Sequence, residues 1–301
     1  MYATPDVNGT PYRGRLAPSP TGLLHVGHAC TFWIAHRRAV EHGGILVFRN
    51  EDLDPQRSRP EFASAMMEDL AWLGIRWQEG PDVGGPFAPY EQSRRREFYL
   101  DAWRKLRDGG FIYPCDCSRK DLAQSAAAPN EGDDEPIYPG RCRERVGEAS
   151  QHETPAGVNW RFRVPDSEVV TFDDLRQVPQ SFTAGKDFGD FVIWRRDDVP
   201  AYQLAVVADD AAMEITEVVR GADLLKSTAR QLLLLRALRL PAPVYYHCDL
   251  VRDEAGVRLA KRHDSLSLRN LRERGDTPQQ VLDRCIRRYP RNPVRPCCVK
   301  P

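Results

Sequence analysis

Arg15-Leu16-Ala17-Pro18-Ser19-Pro20-Thr21-Gly22-Leu23-Leu24-His25-Val26-Gly27-His28 is the stretch from which the rest of the chain is read. Arg15-Leu16-Ala17 reads as a short strand, and Pro18 to Gly27 is too rich in proline and glycine for regular structure. An apolar-periodic helix is predicted from about His28 to His42, stopped by Gly43-Gly44. Ile45 to Phe48 follows as a buried strand. Strand, glycine loop, helix, strand is the βαβ pattern of a parallel nucleotide-binding sheet, so an α/β fold is expected.

His25-Val26-Gly27-His28 falls where the strand-to-helix loop should be. Two imidazoles around a glycine suit a triphosphate there. Gly27 lets a nucleotide approach the backbone, and a helix N-terminus favours negative charge. Alone, such a tetrad is weak evidence, because histidines near a helix start are usually polar caps. Preceded by Ala-Pro-Ser-Pro-Thr-Gly at this distance, it becomes specific.

Further along, helices are predicted at about Glu61 to Leu73 and Ser93 to Asp108. Between Tyr113 and about Val170 the periodicity breaks up around an acidic stretch, Ala126 to Glu135, and an inserted subdomain is expected. Regular patterning returns at Phe188 to Trp194 and Gln203 to Ala208. Thr228 to Leu240 is a strongly apolar helix ended by Pro241, and Val244 to Leu250 is strand-like. A final helical region starts near Pro278.

The chain has 301 residues, 41% hydrophobic and 29% charged, enough to bury a sizeable core. Lys plus Arg and Asp plus Glu each number 43, so net charge points to no polyanionic partner, although the region after Arg252 is locally basic. No stretch approaches the roughly 20 apolar residues of a membrane span. Residues 1–11 lack an apolar run behind basic residues, so no signal peptide is expected. Among the eight cysteines, Cys115 and Cys117 are too close for a comfortable disulfide, which points to a reducing, cytoplasmic setting. Cys115-x-Cys117 followed by Tyr138-x-x-x-Cys142 offers three thiolates and a phenol. On spacing alone, a tetrahedral metal site and three reduced cysteines in a loop are evenly matched readings. Cys30, Cys248, Cys285, Cys297 and Cys298 are read as free thiols.

The first segment resembles the first signature of class I glutamyl-type tRNA synthetases, with the tetrad written His-Val-Gly-His. The resemblance spans roughly Arg13 to Leu282 and implies a Rossmann-type class I synthetase catalytic domain. It implies that His25 and His28 act catalytically, stabilising charge on ATP phosphates, with Gly27 beside them. Arg258-Leu259-Ala260-Lys261-Arg262 resembles the family's lysine loop; Lys261 matches the lysine that reaches ATP, while Arg258 and Ala260 depart from the pattern. Arg15, Ala17 and Ser19, then Glu51, Tyr202 and Arg220, fall in family-like contexts that imply a glutamate pocket. Arginines suit the two carboxylates, and an acid suits the α-ammonium. Glu217 stands where the family usually carries histidine.

The cysteine pattern is similar to the zinc module of the glutamyl-queuosine subfamily, which implies a structural Zn²⁺ on Cys115, Cys117, Tyr138 and Cys142. Only about 40 residues follow Lys261, too few for a helical anticodon-binding domain. The resemblance therefore implies activation of L-glutamate by ATP with Mg²⁺, and transfer to queuosine in the anticodon loop of tRNA(Asp). The expected organisation is 13–112 and 188–250 as the two catalytic halves, 113–187 as the zinc-containing insertion, and 251–301 as a lysine-loop and short helical region. A monomer without membrane attachment is expected. Two other readings remain: a truncated glutamyl-tRNA synthetase charging a 3′ end, and a catalytically silent binding module.

Overall fold

The computed structural model describes residues 11–117, 137–251 and 267–288. Lys261 with Arg258, Ala260 and Arg262, the acidic stretch at 126–135, and Cys297 and Cys298 lie outside the described residues.

Strand β1 (Arg13–Leu16) and strand β2 (Ile45–Phe48) pair in parallel, Arg13 opposite Ile45 and Leu16 opposite Phe48. Helix α1 (Val26–Glu41) makes the crossover between them. It ends where the sequence requires: Gly43 adopts φ 59°, a left-handed conformation that costs glycine little, and the Gly44 amide returns to the Ala39 carbonyl at 2.8 Å. Helix α2 (Pro60–Trp72) starts on a proline, whose missing N–H costs nothing at a first turn. Helix α3 (Arg96–Asp108) follows a single 3-10 turn at Gln92–Arg94.

A second parallel pair, β8 (Glu217–Gly221) and β9 (Val244–Cys248), stands beside the first. The Thr216 amide donates to the Arg13 carbonyl at 2.9 Å, and the Arg13 amide donates to Thr216 Oγ1 at 2.8 Å. Helix α4 (Tyr202–Ala212) precedes β8, and α5 (Leu225–Leu238) connects β8 to β9. The βαβ reading of the opening segment therefore holds, and the unit occurs twice.

Between the two pairs, β3 (Ile112–Cys115), β4 (Asn159–Phe162) and β7 (Phe191–Trp194) form an antiparallel sheet in the order β3-β4-β7. Strands β5 (Val169–Phe172) and β6 (Gln180–Thr183) form a separate hairpin. Most of these strands were illegible in the sequence because four residues are too few for period-two alternation to stand out, and no glycine loop and helix frame them as they frame β1 and β2. The hydrophobic core joins this sheet to the helices. Trp103 of α3 meets Trp160 of β4 edge-to-face, with centroids 5.0 Å apart at 82°, and Phe162, Trp194, Leu204 and Leu234 lie in the same cluster. Edge-to-face packing suits the aromatic quadrupole and adds about 1 kcal/mol beyond area burial.

Helices α6 (Leu268–Glu273) and α7 (Pro278–Arg288) complete the described chain. Helix α7 packs on α1, and this corrects one expectation. Cys30 and Cys285 are not free thiols: they form a disulfide, with Cα atoms 5.0 Å apart across a sequence separation of 255. Spacing along the chain carried no trace of this pair, which only the α1–α7 packing creates. Cys248 is free and buried, as read. Among the described residues, no helix is long and apolar enough to cross a membrane.

Candidate active site

The carboxyl ends of β1, β2, β8 and β9 open onto a cavity of about 380 Å³. Its wall is built from the segments that leave those strands: Ala17 to Leu24, Glu51 to Asp54, Gly221 to Leu224 and Asp249 to Val251. In an open parallel α/β sheet this edge is where ligands bind, because the strands end there and the connecting loops diverge. Arg15, Ala17, Ser19, His25, Gly27, His28, Glu51, Tyr202 and Arg220, singled out from the sequence, all line this one cavity.

His25 is the N-cap of α1. Its Nδ1 accepts the Gly27 amide at 3.0 Å, while His28 Nδ1 accepts the His25 amide at 3.4 Å, closing a reciprocal capping box. The rings stack with centroids 3.8 Å apart. An imidazole whose Nδ1 accepts a hydrogen bond carries its proton on Nε2 when neutral, so both rings are fixed as Nε2–H tautomers. The capping reading and the cavity-lining reading are thus both true of the same side chains. Gly27 has a second reason to be glycine: a Cβ there would sit 2.9 Å from Cε1 of the His25 ring.

The floor is a buried charge network. Arg15 donates from Nη1 to the Val219 carbonyl at 2.9 Å, and its Nε lies 3.5 Å from Asp210 Oδ1 without a hydrogen bond. Burial pulls its pKa down, and the neighbouring Arg49 and Arg220 add to this against Asp210. Arg49, fully buried, donates to Asp210 Oδ1 at 2.6 Å and to Glu51 Oε1 at 3.0 Å. Burial opposes its charge, yet Asp210, Glu51 and Asp209 together hold it protonated well beyond the ordinary range. Glu51 is pushed the other way: burial raises its pKa, and Arg49 and Arg15 only partly restore it. Beneath this ring, Asp209 accepts from Arg95 Nε at 2.7 Å, Gln92 Nε2 at 2.8 Å and the Tyr99 hydroxyl at 2.9 Å. Burial raises the Tyr202 phenol pKa.

Arg49, Asp209, Asp210 and Gln92 were not singled out from the sequence. A signal was present: Asp209-Asp210 is a carboxylate pair inside an otherwise apolar helix, and such residues are buried only when paired. Glu217, noted as a departure, is no part of the cavity wall. It accepts two hydrogen bonds from Arg38 of α1 and one from the Tyr12 hydroxyl at 2.9 Å, an ion pair tying α1 to β8.

Lys261 lies outside the described residues, but the chain on either side of 252–266 stands at the cavity. Val251 lines it, and Ser267 forms a bridge with His25 while the Leu268 amide donates to the Leu24 carbonyl at 2.8 Å.

About the end of β3, Cys115, Cys117 and Cys142 bring their sulfurs within 4.8 Å of one another. Cys117 Sγ lies 3.9 Å from Cys142 Sγ and 3.1 Å from the Tyr138 oxygen, which is 3.5 Å from Cys115 Sγ. A tetrahedral zinc with ordinary bond lengths separates two sulfurs by about 3.8 Å and a sulfur from an oxygen by about 3.5 Å. The Cys117–Cys142 and Cys115–Tyr138 separations match such an ion, and the donor types suit it. The widest sulfur spacing, up to 4.8 Å, would close as the donors gather around it. The Arg161 guanidinium lies 3.8 Å over the Tyr138 ring and donates to Cys115 Sγ at 3.4 Å, a positive neighbour for anionic donors.

The family model for class I tRNA synthetases (E and Q), catalytic domain, matches residues 12–294. The Glutamyl-Q tRNA(Asp) synthetase of Symbiobacterium thermophilum is 48% identical over 275 residues, covering 89% of this chain and 84% of that protein. The protein of the same name from Nitratidesulfovibrio vulgaris is 49% identical over 265 residues, covering 87% and 82%. The crystal structure of the glutamate-tRNA synthetase from Elizabethkingia anophelis aligns with TM-score 0.71 at 30% identity, covering 84% of this chain and 53% of the other. The chain thus spans about half of that solved structure but most of the two sequence relatives. With the sheet, the cavity at its carboxyl edge and these likenesses in agreement, the chain belongs to the class I tRNA synthetases of the E and Q type, in the group of the glutamyl-Q tRNA(Asp) synthetases.

Proposed function

We propose that this protein activates L-glutamate with ATP and transfers the glutamyl group to queuosine in the anticodon loop of tRNA(Asp). In the first step an oxygen of the α-carboxylate attacks the α-phosphorus, and the bond to the β-phosphate breaks to release pyrophosphate. In the second, a queuosine hydroxyl attacks the acyl carbon of the adenylate and AMP leaves with the bonding electrons.

The observation that carries this reading is the cavity itself. Arg15, Arg49 and Arg220 stand around Glu51 and Asp210, so the inner ring holds one guanidinium more than it has carboxylates. A free glutamate carries two carboxylates and one ammonium, and its net charge complements that excess. Arginine forks suit the carboxylates. Glu51, already paired with Arg49 but still raised in pKa by burial, gains a second cation when a substrate ammonium arrives. His25 and His28 offer Nε2–H donors at a helix N-terminus, which suits charge developing on phosphate oxygens. Lys261 supplies a further cation to the phosphates, a role supported by the closeness of Val251 and Ser267 to the cavity. Mg²⁺ enters with ATP, as in the family. Cys115, Cys117, Tyr138 and Cys142 would hold a Zn²⁺ that, when bound, would staple the end of β3 to the segment at 138–142, away from the reacting groups.

The test is incubation with ATP, radiolabelled glutamate and tRNA(Asp), with and without queuosine. Label that depends on queuosine is expected, and Lys261→Ala should lower glutamate-dependent pyrophosphate exchange strongly. Label on tRNA(Glu) at an alkali-labile 3′ ester would overturn the acceptor. An absence of glutamate-dependent exchange would overturn the activation step.

A further inference from the structure

Arg220 differs from its neighbours in the cavity. It is 4% exposed and, among the described residues, has no carboxylate partner. Its Nε donates to His247 Nε2 at 3.1 Å, Nη1 to Gln231 Oε1 at 2.8 Å and Nη2 to Thr228 Oγ1 at 2.7 Å. A guanidinium has five N–H bonds, so both Nη nitrogens keep one beyond these contacts. A buried charge held only by neutral groups is uncompensated until an anion arrives.

The imidazole under Arg220 is set from a distant part of the chain. Parallel pairing of β8 and β9 puts His247 directly opposite Arg220. His247 Nδ1 lies 2.5 Å from Asp174 Oδ2, and both side chains are fully buried. Asp174 belongs to the connection between β5 and β6. Its other oxygen accepts the amides of Gln177 at 2.8 Å, Arg176 at 2.9 Å and His247 at 3.2 Å. Thr228 Oγ1 lies 3.1 Å from His247 Nε2 and could serve it in either role, but it already accepts from Arg220 Nη2 and can donate to the Leu224 carbonyl at 3.2 Å. Arg220 Nε–H only donates, so its contact makes His247 Nε2 the acceptor and places the imidazole proton on Nδ1, aimed at Asp174.

We propose that Asp174 and His247 are positioning residues for Arg220, fixing through one imidazole tautomer the direction in which its Nη groups meet a carboxylate of the amino-acid substrate. This rests on reading the cavity as the glutamate-activating site. The imidazole stays neutral in ordinary buffers: burial pushes its pKa down to about 4, with Arg220 adding to this and Asp174 opposing it. Cationic His247 would set a donor against a donor. The β5–β6 connection, which does not itself line the cavity, thereby takes part in substrate recognition.

Asp174→Asn tests the relay because the three amides require an oxygen at the Oδ1 position, which forces the carboxamide N–H₂ toward His247 Nδ1. The imidazole must then carry its proton on Nε2, facing Arg220 Nε–H. In glutamate-dependent pyrophosphate exchange, the KM for glutamate should rise about 10- to 100-fold, the size of a lost hydrogen bond to a charged group, with the KM for ATP and the melting temperature little changed. In an Arg220→Lys background, which has no Nε–H, Asp174→Asn should raise it no further. Independently of any variant, ¹⁵N NMR of the wild type should report His247 protonated on Nδ1. A folded Asp174→Asn with unchanged glutamate KM, an equal rise in both KM values, or an Nε2–H tautomer in the wild type overturns the relay. A wild type with no glutamate-dependent exchange overturns the activation reading itself, and the relay with it.

Discussion

Removing Glu217 tests whether the departure at that position is a structural exchange. Its carboxylate accepts from Arg38 Nη2 at 2.6 Å and from the Tyr12 hydroxyl at 2.9 Å, with the Arg38 and Glu217 side chains 11% and 7% exposed. Two unit charges about 4 Å apart attract by about 4 kcal/mol at an effective dielectric near 20. Dehydrating both ions costs several kcal/mol, so the intact pair adds little net stability. Breaking it is another matter. In Glu217→Leu the Arg38 guanidinium stays buried without its anion and Tyr12 loses its acceptor, which should cost about 3–5 kcal/mol. Arg38→Leu strands Glu217 and should cost a similar amount. In the double variant neither charge remains, and stability should return to within about 2 kcal/mol of wild type. Urea denaturation of the four proteins closes the cycle. If Glu217→Leu lies within about 1 kcal/mol of wild type, or the double variant loses the sum of the single effects, the ion-pair account is refuted.

Three further outcomes are expected. Asp69 of α2 is fully buried, neither oxygen has a hydrogen-bond partner among the described residues, and Arg272 Nη1 is 3.8 Å away. Burial pushes its pKa up to about 6, so the folded protein keeps a proton that the unfolded chain releases between about pH 4 and 6. Stability therefore falls as pH rises through that window; Asp69→Asn should remove this slope and add about 2 kcal/mol at pH 7, checked by denaturation at both ends. The Cys30–Cys285 bridge closes almost the whole chain, and reduction or Cys285→Ser should cost about 2–5 kcal/mol, read calorimetrically with and without reductant. A wild type indifferent to reductant would argue against the bridge. Cys142→Ser should lower zinc content from about one per chain toward zero by elemental analysis, and a metal-free wild type would remove the zinc reading.

The sequence by itself determined the local devices. Gly43-Gly44 ends α1 because left-handed backbone favours glycine there, Ile45 to Phe48 forms β2 as read, and the residues expected to bind glutamate share a cavity because the strands and loops that carry most of them meet at one edge of the sheet. These features depend on contacts a few residues apart, or on a βαβ order that leaves few topologies open. Only the tertiary structure decided the rest. The Arg38–Glu217 pair, the Asp209–Arg95 contact, the Asp174–His247 contact and the Cys30–Cys285 bridge join residues 73 to 255 positions apart. Each partner alone looks like an ordinary surface charge or thiol. Burial is what makes a partner obligatory, and burial is a property of packed elements that no single stretch of chain possesses.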